Sequence, residues 1–224
     1  MLKKKKKKNK SGLSPATLSR ILLATWLVFN VFYHYFKCRA ARPIPIPSTS
    51  SIHPQCTICH SPKPPLTSHC STCSTCIYKM DHHCPWIGQC IGAHNQANFF
   101  LFLWNVLLAT VVILYLEYGF WMDQYESWMD GKTTRRNVKL VLFTFSIVIF
   151  LHIVMISFLF TYGYLVSGGI TYIMKMFKKA KSKKRITWNQ LRLRWRQYLA
   201  IGSDEWIVSA FLWPADRIVR EFPT

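Results

Sequence analysis

Asp81-His82-His83-Cys84 places a carboxylate, two imidazoles and a thiol in four consecutive positions. A free cysteine titrates near ~8.5, so only a few per cent is the nucleophilic thiolate at neutral pH. A neighbouring imidazole takes the proton or stabilises the thiolate as imidazolium, and a carboxylate on the far ring nitrogen fixes the tautomer. The string therefore contains an attacking group, a base and an orienting group, with either histidine available as the base.

The same block is rich in metal ligands. Seven of the eight cysteines fall between Cys56 and Cys90, as Cys56-x2-Cys59, Cys70-x2-Cys73-x2-Cys76, Cys84 and Cys90. His60, His69, His82, His83 and His94 lie among them. Cysteine pairs at this spacing, mixed with histidines, are zinc ligands rather than a disulfide framework, which argues for a reducing compartment. A structural zinc takes four such ligands in a tetrahedron. Two sites consume eight of the twelve candidates, so some thiols and imidazoles stay unbound. Spacing alone does not say which.

Those residues must be positioned by something, and the block itself is short of helix or strand periodicity. Such a segment buries too little apolar surface to fold unaided and needs a staple, which metal supplies. The flanking segments are membrane-length apolar runs. About 20 residues span the hydrocarbon at 1.5 Å per residue. The expected organisation is a basic N-terminal tail (1–16), a first span (17–36), a Pro-rich linker (37–55), the Cys/His domain (56–98), a second span (99–122), a lumenal loop (123–137), a third span (138–166) and a basic cytosolic tail (167–224). The predicted fold class is an all-α multi-pass membrane protein, with three transmembrane helices and a small irregular two-zinc cysteine-rich domain between helices 1 and 2.

Half of the 224 residues are apolar, which excludes a disordered chain. The net charge of +20 is concentrated in residues 3–10 and 175–196, flanking the apolar segments without an aromatic platform. This pattern favours a membrane surface and excludes nucleic acid as a partner. The second and third runs form a hairpin, so the Cys/His domain and the basic tail share a side, and positive-inside bias makes that side cytosolic. The basic N-terminus then lies on the far side, which conflicts with the same bias. His152 within the third run is either a functional group or a neutral histidine bonded to a neighbouring helix. Cys38 is expected to be an inert juxtamembrane thiol, and His60 and His94 surface or hydrogen-bonding residues.

The stretch Cys56-x2-Cys59-x9-His69-Cys70-x2-Cys73-x2-Cys76-x4-Asp81-His82-His83-Cys84-Pro85-Trp86-x3-Cys90-x-Gly92-x2-Asn95-x3-Phe99 resembles the DHHC cysteine-rich domain of protein S-acyltransferases, the integral-membrane palmitoyltransferases. The tail around residues 195–214 resembles the zDHHC16-like branch. The resemblance implies that Cys56, Cys59, His69 and Cys76 hold one zinc, and Cys70, Cys73, His83 and Cys90 the other. It leaves Cys84 as the nucleophile, His82 as its base and Asp81 as the orienting group. It implies two structural Zn2+ ions and palmitoyl-CoA, or another long-chain acyl-CoA, as acyl donor. Implied partners are membrane lipid and cytosolic-face substrate proteins with juxtamembrane cysteines, and the implied location is an ER or Golgi membrane.

A long acyl chain gains roughly 0.8 kcal/mol per buried methylene, so it needs the bilayer or an interhelical cavity. Candidate lining positions are 99–116 and 141–165. Lys63 and Lys79 are candidates for the CoA phosphates, and residues 178–185 are expected to meet anionic lipid headgroups or to reflect positive-inside bias, with the CoA phosphates as the alternative. Three departures from the family pattern stand out. One apolar run precedes the domain where two are usual, Thr171-Tyr172-Ile173-Met174 replaces Thr-Thr-x-Glu, and Gln89 replaces an asparagine. They motivate the alternative of a catalytically weak membrane-anchored zinc scaffold or accessory subunit.

Overall fold

The computed structural model describes residues 14–46, 53–132, 135–169, 187–201 and 207–212. The lysine-rich N-terminus, the Thr171–Met174 stretch and the basic residues 178–185 lie outside these. Three long helices dominate: α1 (Pro15–Ala40), α2 (Gln96–Met129) and α3 (Arg135–Gly168). All three are long and apolar enough to cross a membrane. Among the described residues the rest is two short hairpins, β1 (Thr67–Cys70) with β2 (Thr75–Tyr78) and β3 (His82–Cys84) with β4 (Gln89–Ile91), and the short helices α4 (Trp188–Tyr198) and α5 (Ser209–Leu212). This agrees with the expected class, a helical multi-pass architecture with a cysteine-rich region between its first two helices.

Helix α1 starts where local chemistry favours a start. The Ser14 hydroxyl accepts from the Thr17 N–H at 3.1 Å, and Pro15 occupies a first-turn position where no N–H is required. It stops just before Arg42-Pro43, because the residue before a proline is pushed out of helical geometry. Its buried residues are Leu27, Asn30, His34 and Cys38. That spacing of three and four forms one stripe, which faces α2. The remaining surface, including Leu22, Phe29, Phe32 and Phe36, is exposed and apolar, the composition a helix presents to lipid.

Helix α2 packs on both α1 and α3. At 34 residues it runs to about 51 Å, well beyond a ~30 Å hydrocarbon core. The polar stretch 123–137, expected as a loop, is therefore mostly helix: α2 continues to Met129 and α3 begins at Arg135. Polarity marks where a span leaves the membrane, whereas a helix ends only where its backbone bonding is broken, here near Gly131 with φ of 69°.

The cysteine-rich region also has more regular structure than its sequence suggests. The β1–β2 hairpin pairs His69 with Cys76, and β3–β4 pairs His83 with Cys90. These strands are only three or four residues long, too short for an alternation of apolar and polar residues to show. Two glycines are required by the backbone. Gly88, at φ 77°, turns the chain into β4. Gly92 follows it, where an added Cβ would lie 2.8 Å from Ile77 Cγ2 and 3.0 Å from the Tyr78 carbonyl.

The main core among the described residues joins α1, the β3–β4 hairpin, α2, α3 and the tail. Cys84, Ile87 and Ile91 from the hairpin, Cys38 from α1, Phe99 to Leu101 and Leu103 from α2, Tyr162 from α3, and Leu199, Ile201 and Ala210 from the tail form one buried cluster. The tail docks by aromatic edges: Trp195, Tyr198 and Phe211 surround the Phe100 ring at centroid distances of 5.4, 5.9 and 6.2 Å. Asn95 ties the domain to α1. Its side chain accepts from Gly92 N–H at 3.0 Å and donates to the carbonyls of Cys90 and Cys38 at 3.0 and 3.3 Å. Gln89 donates to the same Cys38 carbonyl, an acceptor left over at the helix end.

Candidate functional site

The two hairpins gather the metal ligands into two groups of four. In one, Cys56, Cys59, His69 and Cys76 bring their ligand atoms within 4.8 Å of one another. In the other, Cys70, Cys73, His83 and Cys90 do the same. The interleaving follows from strand register. His69 and Cys76 face each other across β1–β2, while Cys70 at the end of β1 and Cys73 within the turn reach the neighbouring pair His83 and Cys90.

A tetrahedral zinc with Zn–S near 2.3 Å and Zn–N near 2.0–2.1 Å requires ligand atoms roughly 3.5–3.8 Å apart. In the first group the Sγ atoms of Cys59 and Cys76 are 3.6 Å apart, and Cys76 Sγ lies 3.9 Å from His69 Nδ1. In the second, His83 Nδ1 lies 3.7, 3.3 and 3.7 Å from the sulfurs of Cys70, Cys73 and Cys90. Three thiols and one imidazole at these separations fit a closed structural Zn2+ site, so the protein offers two zinc-compatible clusters.

Strand alternation then partitions the Asp-His-His-Cys string. Successive side chains on β3 point to opposite faces. His83 turns into the second cluster, and His82 and Cys84 share the other face. Asp81 directly precedes the strand and is held there by its N–H bond to the Ile91 carbonyl, 2.8 Å. Its Oδ2 accepts from His82 Nδ1 at 3.1 Å, which leaves Nε2 as the ring nitrogen available to the Cys84 thiol. Burial raises the Cys84 thiol, but the His82 bond and charge, with backbone N–H groups of Ile87 and Trp86, bring it below its usual value. Burial pulls His82 down, and the bonds to Asp81 and Cys84 with their negative charges outweigh it, raising the imidazole to about 9.

Cys84 is only 4% exposed, whereas the next residue but one, Trp86, is 87% exposed. An apolar cavity of about 460 Å³ opens beside His82, lined by Val154, Ser157, Phe158, Thr161, Tyr162 and Leu165 of α3. The positions anticipated on α2 do not line it. A second cavity of about 250 Å³ also borders Tyr162, and its lining mixes Lys79, Asp81, Gln96, Arg194 and Tyr198 with the apolar Leu66, Leu165 and Val166. Lys79 thus sits near the site, and burial lowers its pKa. Lys63 lines neither cavity.

Other singled-out residues resolve as structural. His152 Nδ1 is 3.0 Å from the Thr110 hydroxyl, a polar link between α2 and α3. Cys38 is fully buried and His60 is exposed. His94 is buried rather than on the surface, and burial pushes it down to about 4.

Two neighbours of the string, Phe99 at the end of the motif and Tyr162 among the candidate lining positions, had no contact with it foreseen from the sequence. Tyr162, inside the third apolar run, donates its hydroxyl to Asp81 Oδ2 at 2.7 Å and lies 3.2 Å from His82 Nδ1. Phe99 stands between the His82 and Tyr162 rings, at 5.5 and 5.6 Å, edge-on to both. A tyrosine in an apolar run reads as a lipid-interface aromatic, so only the three-dimensional packing of α3 against β3 reveals its partner.

Comparison with known proteins agrees with the geometry. The model of the DHHC palmitoyltransferase family matches residues 50–179, more than half of the chain. The chain is 36% identical over 98 residues to "Probable protein S-acyltransferase 5" of Arabidopsis thaliana, a match covering 40% of this chain and 20% of that protein. It is 46% identical over 71 residues to "Palmitoyltransferase PFA3" of Saccharomyces cerevisiae, covering 30% and 21%. It is 39% identical over 80 residues to "Palmitoyltransferase ZDHHC16A" of Danio rerio, covering 34% and 21%. These matches span about a fifth of each relative's length. With two zinc-compatible clusters holding an Asp-His-His-Cys strand between membrane-length helices, the chain belongs to the DHHC palmitoyltransferase family.

Proposed function

We propose that the protein is a protein S-acyltransferase that moves a long-chain acyl group, such as palmitoyl, from acyl-CoA to cysteine thiols of substrate proteins through an acyl-Cys84 intermediate. The observation that carries this reading is the Asp81–His82 hydrogen bond on the strand that also carries Cys84, with His82 bordering an apolar cavity along α3.

The roles follow from the chemistry. Cys84 gives its proton to His82, and the thiolate attacks the thioester carbonyl carbon. A new carbon–sulfur bond forms, the bond to the CoA sulfur breaks, and CoA leaves with the proton returned by His82. In the second half the incoming cysteine gives its proton to His82 and displaces the Cys84 sulfur, which regains a proton. One thioester replaces another at each step, so the energy is nearly balanced and positioning is the main contribution to rate. Asp81 holds His82 with Nδ1 away from the thiol. The ligands Cys56, Cys59, His69 and Cys76, and Cys70, Cys73, His83 and Cys90, would hold structural zinc, which supplies a fixed scaffold rather than an activated water.

The Cys/His domain is assigned to the cytosolic face, where thiols stay reduced, with residues 123–137 on the lumenal side. An ER or Golgi membrane and substrates with juxtamembrane cysteines fit a site at the membrane surface. Incubating the purified protein with palmitoyl-CoA and a membrane-tethered peptide bearing one cysteine near its anchor tests the full reaction. Hydroxylamine-sensitive acylation of that cysteine is expected with wild type and is absent with Cys84→Ser. Equal transfer by both proteins would contradict the mechanism. Folded protein that transfers nothing would favour the scaffold reading.

A further inference from the structure

The geometry points to Tyr162 as a positioning residue of the Asp81–His82 pair, anchored on the membrane helix rather than in the cysteine-rich domain. This rests on the acyl-transfer reading above and adds a residue to it.

Asp81 Oδ2 accepts two hydrogen bonds, from the Tyr162 hydroxyl at 2.7 Å and from His82 Nδ1 at 3.1 Å. The hydroxyl is also 3.2 Å from Nδ1, so the three groups form a closed triangle. Asp81 and Tyr162 are 6% exposed each, and bonds among buried polar groups at these distances are strong. A carboxylate just before a three-residue strand has freedom about its own side-chain torsions. The hydroxyl removes it by fixing one oxygen where Nδ1 can reach it.

The ring is itself fixed. It packs edge-on to Phe99, which packs edge-on to His82. Tyr162 also borders both cavities, the apolar one lined by His82 and the mixed one lined by Asp81. The residue therefore ties the orientation of the imidazole to the position of α3, the helix that lines the apolar cavity. A shift of α3 would change the Asp81 bond without any change in the zinc clusters. Groups that orient metal-bound histidines matter about 10- to 100-fold, and the same scale is expected for a hydroxyl that orients the Asp81–His82 pair.

Tyr162→Phe keeps the ring and its packing and removes only the hydroxyl. The test compares the initial rate of Cys84 acylation by palmitoyl-CoA in full-length protein in detergent, for Tyr162→Phe in the wild-type and the Asp81→Ala backgrounds. Bound zinc and thermal midpoint are measured on every variant. The expected result is a rate about tenfold lower in the wild-type background, less than twofold lower in the Asp81→Ala background, and two zincs per chain throughout. An unchanged rate overturns the proposal. So does the same tenfold loss without Asp81, or a rate loss accompanied by loss of zinc or of the thermal transition, because the hydroxyl would then serve the fold alone. If wild type itself fails to acylate, the acyl-transfer reading fails separately. Peptide-resolved alkylation of Cys84 by iodoacetamide, in the same four proteins, then decides the role of Tyr162 by the same criteria.

Discussion

Cys84 is buried on the strand face it shares with His82, and His82 borders an apolar cavity, an arrangement that suits a thioester carbonyl delivered from the membrane side. Removing the base should be costly without harming the scaffold. His82→Ala is expected to slow Cys84 acylation by about 100-fold or more, the usual contribution of a positioned acid–base group, while zinc content measured by mass spectrometry of metals stays at two per chain. A loss of zinc in this variant would contradict the division of the string by strand face. Gly92 makes a different residue-scale prediction. Its missing side chain admits Ile77 Cγ2 and the Tyr78 carbonyl, and Gly92→Ala is expected to destabilise the domain by about 1–3 kcal/mol as overpacking does, read as a lower chelator concentration for zinc release. The ligand sets and the Asp-His-Cys set were expected through the family resemblance, because spacing and residue type alone narrowed them only to twelve candidates. Tyr162 was not, because its partner is 81 residues away and its own neighbours are apolar.

At the scale of elements, the short hairpins convert a ligand list into two separate clusters. Spacing alone left twelve candidates for eight places; alternation on β3 sends His83 to metal and His82 with Cys84 to the other face. That alternation was invisible in the sequence because a three-residue strand has no period to detect. The spans themselves were legible from hydropathy, but their ends were not, since α2 and α3 continue through polar residues to Met129 and from Arg135. Asn95 joins two elements, bonding the loop after β4 and the end of α1. Asn95→Ala leaves the Gly92 N–H without this acceptor at a buried position, a cost of about 1–3 kcal/mol. The expected outcome is a lower thermal midpoint and faster zinc loss, with α1, α2 and α3 retained by circular dichroism. An unchanged midpoint would show that the domain does not need this tie.

Across the whole molecule, the buried cluster around Cys84 draws on α1, α2, α3, the β3–β4 hairpin and the tail. The site is therefore a junction of membrane helices with a metal-stapled domain, and neither part alone completes it. Zinc removal tests this dependence. The domain has little apolar core of its own, so chelation should unfold it while the helices persist. The expected readout is a jump in alkylatable thiols, with near-complete loss of Cys84 acylation and little change in helical signal. Chelated protein that still acylates would contradict the scaffold role of the clusters. The central claim is that Cys84 carries the acyl group, and the most direct measurement is peptide-resolved mass spectrometry after incubating purified protein with an alkyne-tagged palmitoyl-CoA. The account expects a hydroxylamine-sensitive acyl adduct on the Cys84 peptide, lost in Cys84→Ser. An adduct confined to other cysteines, or equal labelling of the serine variant, would contradict it.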